Sequence, residues 1–176
     1  MRKLSMSELN RPSLKEYKAR EKRPVIVVLD NIRSLHNVGS LFRTADAFNL
    51  EAIFLCGITA TPPHREIHRT ALGATESVNW EYHPTSQAAV KKLKKKGCQI
   101  VVIEQTDKSI PLSKITLESG TQLALIFGNE ITGVSEEALD YADVAIEIPQ
   151  FGTKHSLNVA VSAGIVIWEL LRKSEK

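Results

Sequence analysis

Continuous apolar runs of strand length recur along the chain, and they constrain its fold more than any other feature. The runs lie at residues 25–30 (VIVVLD), 52–56 (AIFLC), 99–104 (QIVVIE), 123–127 (LALIF) and 144–148 (VAIEI), with a shorter candidate strand at 78–82. A strand without polar alternation is buried on both faces, which is typical of a parallel sheet covered by helices. The sequence therefore predicts an α/β domain with a mainly parallel sheet flanked by helices.

The segments between these runs differ in pattern. Helical spacing predicts helices at residues 41–50 and 86–96 and a short helix capped by Ser135. Residues 31–40 are rich in turn formers, and residues 57–77 carry a proline pair near their start. Both of these segments are predicted to be loops.

The C-terminal stretch, residues 146–171, combines a short apolar run, a polar turn and a helix that opens on Ser156, Leu157 and Asn158. Residues 159–168 are apolar almost all round, so this helix must be covered on more than one side, by its own domain or by a second subunit. At ten residues the run is too short to span a bilayer.

The length of 176 residues predicts one domain over residues 24–176, preceded by a basic arm over residues 1–23. No apolar stretch has the pattern of a signal peptide or a membrane span, so we expect a cytoplasmic protein without a membrane partner. Cys56 and Cys98 each lie in an apolar stretch, where a free thiol is expected rather than a disulfide.

The charge is distributed unevenly between the arm and the domain. Residues 2–23 hold eight Lys or Arg against three Glu, a net charge of +5, so the remainder of the +3 chain carries −2. Such an arm suits a polyanionic partner such as a nucleic acid, because Lys and Arg contacts to phosphates supply affinity. A solvated terminus is equally consistent with this charge.

Three polar turns follow strands directly, at residues 30–43, 128–133 and 149–158. In an open parallel sheet, ligands bind beyond the C-terminal ends of the strands, and the fold could bring these turns together there. Residues 128–133 have the glycine spacing of a P-loop, but Val134 and Ser135 stand where Lys-Ser/Thr is required. No G-x-G-x-x-G follows a strand either, so the common nucleotide-binding motifs are absent.

His64 and His68 are spaced as on one face of a helix, but HREIH lacks the H-E-x-x-H pattern of zinc proteases. We therefore expect no metal. Arg65 and Arg69 flank these histidines and suit a loop that contacts phosphates, although a solvated loop is equally consistent with them.

Taken together, the three turns resemble the three motifs of the SpoU (TrmH) family of RNA 2′-O-ribose methyltransferases. Residues 37–46 (NVGSLFRTAD) resemble motif 1, and residues 125–135 (LIFGNEITGVS) resemble motif 2. Residues 146–149 (IEIP) with residues 156–163 (SLNVAVSA) resemble motif 3. The order and spacing also match, and the resemblance covers about residues 24–172.

This resemblance implies a SPOUT-type α/β fold whose C-terminal segment forms a deep trefoil knot, a rare exception to ordinary chain topology. It implies a homodimer, which would cover the apolar final helix. It also implies S-adenosyl-L-methionine (AdoMet) as methyl donor, bound in the knot, with Gly128, Ile148 and Leu157 as the cofactor-contacting positions.

The resemblance further identifies Arg43 as the base or activator of the ribose 2′-OH. Arginine is protonated under ordinary conditions, so the milder hypothesis is that Arg43 binds the target phosphate or stabilises developing alkoxide charge. The structural alternative is a surface cation paired with Asp46.

The remaining candidate site residues are polar groups around Arg43. Asn37 orders the motif 1 turn or caps a helix, and Glu130 and Asn158 are expected to fix the site by hydrogen bonds. Ser156 is either the N-cap of the last helix or a substrate contact, and Arg33 either contacts RNA or is solvated.

The expected function is AdoMet-dependent methylation of a ribose 2′-OH, with tRNA as the preferred substrate and rRNA second. The arm, the HREIHR loop and the lysines of residues 91–96 are candidate RNA contacts. Two alternatives remain open from the residues: a non-catalytic RNA-binding or assembly factor on the same fold, and methylation of an RNA base.

Overall fold

The computed structural model describes residues 1–5, 7–116 and 120–174 of the chain. They form one seven-stranded sheet in the order β3-β2-β1-β6-β4-β7-β5, in which every neighbouring pair is parallel. The strands are β1 Arg23–Asp30, β2 Leu50–Cys56, β3 Asn79–His83, β4 Gln99–Ile103, β5 Ile110–Pro111, β6 Leu123–Phe127 and β7 Val144–Glu147. The predicted parallel α/β sheet is confirmed.

Helices cover both faces of this sheet. They are α1 Leu14–Ala19, α2 Leu35–Ala47, α3 Arg65–Ala71, α4 Ala74–Ser77, α5 Ser86–Lys95, α6 Glu136–Leu139 and α7 Val159–Ser174, with a 3-10 turn at Leu112–Lys114. Side chains of β1 alternate between two cores, since Val27 and Leu29 pack in the cluster that includes α2, α3 and α7, while Ile26 and Val28 pack with α5 and α6. Burial on both faces explains the continuous apolar runs.

The second half of the basic arm packs against the domain. Ser13 and Glu16 form a capping box at the start of α1, with the Glu16 amide donating to Ser13 Oγ at 3.3 Å and the Ser13 amide donating to Glu16 Oε2 at 2.7 Å. Tyr17 is buried, and its hydroxyl donates to the Asp46 carbonyl at 3.1 Å. This contact places α1 at the C-terminal end of α2.

The start of α2 differs from its prediction. The helix begins at Leu35, with Ser34 as N-cap, although residues 31–40 were expected to be a loop. Gly39 lies inside the helix at a point where α3 packs directly against it. A Cβ at this position would overlap Thr70 Oγ1 and the Ile67 carbonyl oxygen, so the contact requires a glycine. The glycine that indicated a turn is therefore a packing residue.

The local structure departs from the sequence analysis at three further places. Residues 57–77 contain α3 and α4 downstream of their proline pair, because the prolines restrict only the start of the segment. The two-residue strand β5 is too short to leave a pattern in the sequence. Ser135 precedes α6, but its side chain makes no cap hydrogen bond to the described residues.

Helix α7 carries apolar side chains on two sides. Ala163, Val166, Ile167 and Leu170 are buried in the core, whereas Val161, Ile165 and Trp168 are 51%, 39% and 59% exposed. The sequence predicts that this helix is covered on more than one side. This chain covers only one of its sides. Across the described ranges, we find no helix with the length and apolarity required to cross a bilayer.

Candidate active site

The Glu130 carboxylate joins the first two polar turns at the C-terminal edge of the sheet. The Arg33 amide donates to Glu130 Oε2 at 3.0 Å, and the Ser34 amide donates to Glu130 Oε1 at 3.1 Å. Asn37 Nδ2 donates to Glu130 Oε1 at 2.9 Å. Three donors from the turn after β1 therefore converge on one carboxylate from the turn after β6.

The third turn joins through Asn158. Asn158 Nδ2 donates to Asn37 Oδ1 at 3.1 Å, and Asn158 Oδ1 accepts from the amides of Ala160 and Val161 at 2.9 and 3.3 Å. Asn158 is thus the N-cap of α7, so Ser156 is not the cap. Asn37 lies in the first turn of α2 and is not its N-cap, which is Ser34.

Hydrogen bonding determines the charge state of Glu130. Burial acts to raise the pKa of this carboxyl, but hydrogen bonds from the Arg33 amide, the Asn37 side chain and the Ser34 amide outweigh it and lower the pKa. Glu130 is therefore ionised at neutral pH, which suits a group that accepts from three donors.

Beside this network lies a cavity of about 780 Å³, within the range of small-molecule sites. The three predicted cofactor positions Gly128, Ile148 and Leu157 all line it, and so do Glu130, Ser156 and Asn158. Gly128 has no room for a side chain, because a Cβ there would overlap the backbone of Gly133 and Val134. Part of the cavity wall is therefore closely packed backbone.

The described residues that line this cavity include four glutamates and no Lys or Arg. The glutamates are Glu104, Glu130, Glu136 and Glu147. Carboxylates without basic partners in the wall favour an organic ligand that carries positive charge. A bare phosphate group is disfavoured in the same position.

Arg43 lies outside the cavity wall. It is exposed on α2, six residues or about 9 Å of helix beyond Asn37. Its guanidinium makes no hydrogen bond or ion pair to any residue that the structure describes. The alternative pairing with Asp46 is not formed, since Asp46 Oδ1 accepts from Ser77 Oγ instead.

Helix α3 brings two further arginines near the start of α2. Thr70 Oγ1 donates to the His36 carbonyl at 3.2 Å, and His36 Nε2 lies 3.2 Å from Glu66 Oε2. Arg65 and Arg69 are exposed on α3, and Arg69 Nη1 lies 3.9 Å from the same Glu66 oxygen. Arg33 is also exposed, in the turn that holds Glu130.

The α5 lysines lie at the other end of the sheet. Lys94 Nζ donates to Asp143 Oδ1 at 2.9 Å, and Asp143 directly precedes β7. Because the cavity lies beyond the C-terminal ends of the strands, this cluster is remote from it. The lysines of residues 91–96, which the sequence offers as candidate RNA contacts, therefore lie far from the cavity.

Four polar residues of the site were missed by sequence reasoning: Asp30, Asn31, Glu104 and Asn129. Glu104 Oε2 accepts from the Val134 amide at 3.0 Å, and Asn129 Nδ2 donates to the Asn31 carbonyl at 2.6 Å. Each lies within two residues of the end of a strand, so its position relative to β1, β4 or β6 was the available signal.

Among the described residues, neither the cysteines nor a cluster of metal-binding side chains adds a further site. Cys56 and Cys98 are buried free thiols, and burial together with the nearby Asp30 charge raises the pKa of Cys56 to about 12. Within residues 1–5, 7–116 and 120–174, no three His, Cys, Asp or Glu side chains are grouped so as to hold a metal ion.

Comparison with known proteins agrees with this geometry. The model of the SpoU rRNA Methylase family matches residues 24–168. The tRNA (guanosine(18)-2'-O)-methyltransferase of Thermus thermophilus is 32% identical over 171 residues, which cover 97% of this chain and 86% of that protein.

Two solved structures are similar in fold and sequence. The A. aeolicus TrmH/SpoU tRNA modifying enzyme superposes with a TM-score of 0.81 at 28% identity, covering 92% of this chain and 81% of that one. An AdoMet-bound rRNA methyltransferase from Sinorhizobium meliloti gives a TM-score of 0.80 at 28% identity, covering 89% of this chain but only 59% of that one. The resemblance in the three motifs is confirmed, and the chain belongs to the SpoU rRNA methylase family.

Proposed function

We propose that this protein transfers a methyl group from AdoMet to a ribose 2′-OH of RNA, with tRNA as the preferred substrate and rRNA second. One observation carries the proposal: Asn37, Glu130 and Asn158 join the three motif turns by hydrogen bonds beside one cavity. Membership of the family and the names of the tRNA-modifying relatives support the reaction and the substrate class.

The size and charge of the cavity support AdoMet as its ligand. Its volume suits a ligand of this size, and the close approach of Gly128 to the 133–134 backbone leaves main-chain groups to form part of the wall. Gly128, Ile148 and Leu157 would contact the cofactor, and the surrounding glutamates favour a sulfonium cation. Bound AdoMet supplies an activated methyl group, so the protein has to position the hydroxyl and assist loss of its proton.

The polar network positions the reacting groups. Glu130 fixes the turn at Arg33 and Ser34, and Asn37 connects it to the start of α7. We assign Arg43 to the substrate: its exposed guanidinium, which has no partner among the described residues, binds the target phosphate or stabilises the developing alkoxide. Ser156, in the cavity wall and free of the capping role, contacts the substrate.

A C-terminal trefoil knot is part of the proposal. The match to a TrmH/SpoU structure over 92% of the chain supports it. So does the path of the chain after β7: Ile148, Gln150 and residues 155–158 line the cavity, and Gln105 Nε2 donates to the His155 carbonyl at 2.8 Å.

We further propose a homodimer that covers the exposed side of α7. Val161, Ile165 and Trp168 recur at helical spacing and form one apolar stripe on the surface. A second copy would cover this stripe, as the all-round apolar pattern of α7 requires. Arg43 does not line its own cavity, so an assembly of two chains would also create the surface on which it meets RNA.

Arg33, Arg65 and Arg69 are proposed RNA contacts. All three are exposed near the start of α2, on the side of the molecule that carries the catalytic network. The basic arm adds positive charge, and such contacts give affinity to phosphates without selecting a sequence. A protein that modifies tRNA or rRNA would work in the cytoplasm.

The test is methyl transfer with labelled AdoMet to RNA, followed by nucleoside analysis. Calorimetry should detect AdoMet binding, and the product should be a 2′-O-methylnucleoside. A labelled base would favour the base-methylating alternative. Tight, salt-dependent RNA binding without AdoMet binding would favour the non-catalytic factor and contradict the proposal.

A further inference from the structure

Asp30 is a buried carboxylate at the end of β1 that takes no part in the network of Glu130. It is 0% exposed, and three donors reach it: Ser86 Oγ, Asn31 Nδ2 at 2.8 Å and the Ser135 amide at 2.7 Å. A buried charge is costly unless it is hydrogen-bonded, so this arrangement is built around the carboxylate. Its partners belong to three separate parts of the chain.

Asn31 continues the arrangement towards the cavity. Its φ of +57° places it in the left-handed region, where asparagine is better tolerated than most residues. Its carbonyl accepts from Asn129 Nδ2 at 2.6 Å, and its own Oδ1 accepts from the Ile58 amide at 3.1 Å. Asn31 is therefore held on one side by the turn after β2 and holds Asn129 on the other.

The contacts of Asn129 with Asn31 and of Ser135 with Asp30 lie near opposite ends of one loop, residues 128–135, here called the cofactor loop. Within it, Asn129 pairs with Gly133 through both backbone groups, and Asn129 Oδ1 accepts from the amides of Ile131 and Thr132 at 2.9 and 3.2 Å. The loop thus has an internal shape, and Asn31 and Asp30 attach its two ends to β1. Glu130 lies between these ends.

We propose that Asp30 and Asn31 are positioning residues that hold the cofactor loop in the shape that lines the cavity. Asp30 fixes the Ser135 end and Asn31 fixes the Asn129 end, so the loop cannot move away from β1 without breaking two partly buried hydrogen bonds. The inference that this shape serves AdoMet binding rests on the proposed function.

The experiment compares Asp30→Asn and Asn129→Asp with Ser86→Ala as matched control. Asp30→Asn places an NH2 group where one donor needs an acceptor, and Asn129→Asp removes the donor to the Asn31 carbonyl while keeping the acceptor inside the loop. Ser86→Ala removes the α5 partner of Asp30 without touching the loop.

Hydrogen–deuterium exchange of the cofactor-loop amides, measured without ligand, reads out the positioning directly. Asp30→Asn and Asn129→Asp should accelerate exchange in residues 131–135 by about tenfold, and Ser86→Ala should change it by less than about twofold. Equal protection in the wild type and both loop variants would overturn the proposal, as would an equal effect of Ser86→Ala. If Asp30→Asn does not fold, Asn129→Asp decides, because its site is only half-buried.

Calorimetry with AdoMet then separates this inference from the proposed function. Both loop variants should bind AdoMet about tenfold more weakly than the wild type, with Ser86→Ala close to the wild-type value. Absence of AdoMet binding by the wild type would contradict the proposed function, while the exchange result would still decide whether Asp30 and Asn31 hold the loop.

Discussion

The side chain of Asn37 connects Glu130 with Asn158 through its two polar atoms. Its NH2 group donates to Glu130, and its carbonyl oxygen accepts from Asn158. The donors and acceptors of both neighbours fix the orientation of this amide, because Glu130 can only accept when ionised. An aspartate at position 37 would place a second carboxylate beside Glu130, so the site needs an amide.

The proposed role of Arg43 predicts a separation of catalysis from cofactor binding. Arg43→Ala should lower the turnover number about a hundredfold to a thousandfold, because it removes a charge that acts on the transition state. AdoMet affinity should stay within about twofold of the wild type, since Arg43 does not line the cavity.

Arg43→Lys refines this test, because it keeps the positive charge but loses the two-pronged geometry of the guanidinium. Single-turnover methylation and calorimetry measure both effects. Unchanged methylation by Arg43→Ala would remove Arg43 from the proposed mechanism.

The lowered pKa of Glu130 predicts a pH-dependent contribution to stability. A carboxyl whose pKa is lower in the folded state stabilises the protein fully above the unfolded value of about 4.3, and this stabilisation is lost as the pH falls through the folded pKa. Glu130→Gln should therefore be less stable than the wild type at pH 7, and the difference should shrink below about pH 4.

Denaturant unfolding of both proteins across this pH range measures the difference. Glu137→Gln on α6, which changes an exposed glutamate outside the network, is the control for the loss of one carboxylate. A constant gap between the wild type and Glu130→Gln at all pH values would contradict the assignment.

At the scale of elements, the close packing of α3 on α2 organises the surface beside the site. It depends on Gly39, whose missing side chain lets Thr70 and the Ile67 carbonyl approach the helix. This contact positions the exposed Arg65 and Arg69 near the start of α2. A motif glycine thus serves helix packing here.

Gly39→Ala is expected to destabilise the fold by about 1–3 kcal/mol, the usual cost of overpacking, despite the better helix propensity of alanine. The unfolding free energy in denaturant measures this. Gly152→Ala is the control, since a Cβ at that loop position meets nothing within 4 Å. It should leave stability unchanged or raise it by up to about 1 kcal/mol.

A stabilised Gly39→Ala protein would show that α3 shifts freely and does not hold its arginines in place. Methylation assays of the same variant would then show whether the position of α3 affects the methylation of RNA.

The apolar strand runs predicted the sheet because buried parallel strands have an unambiguous pattern. The start of α2 was missed because Asn37 and Gly39 are typical of turns, and their reasons for being helical, Glu130 and α3, lie elsewhere in the chain. Asp30 was missed for a similar reason: its donors Ser86 and Ser135 are distant in sequence. Local pattern therefore predicts elements better than their contacts.

At the scale of the whole molecule, the exposed apolar stripe of α7 is a surface that a single chain does not cover. Trp168→Glu places a charge within the proposed dimer contact and should convert the protein to a monomer, measured by sedimentation at several concentrations. Ile58→Glu is the control, because Ile58 is 64% exposed in the turn after β2 and does not belong to α7. A wild-type protein that sediments as a monomer would contradict the proposed dimer.

The hydrogen bonds of Asn37 also have a consequence for the order in which the protein acquires its activity. Asn37 and Glu130 are 93 residues apart, and Asn37 and Asn158 are 121 apart. Contacts of such separation form slowly, after local helices and neighbouring strands. A growing chain that has not reached residue 158 can contain every strand of the sheet but lacks part of the cavity wall, so the site proposed for AdoMet would be completed late in folding.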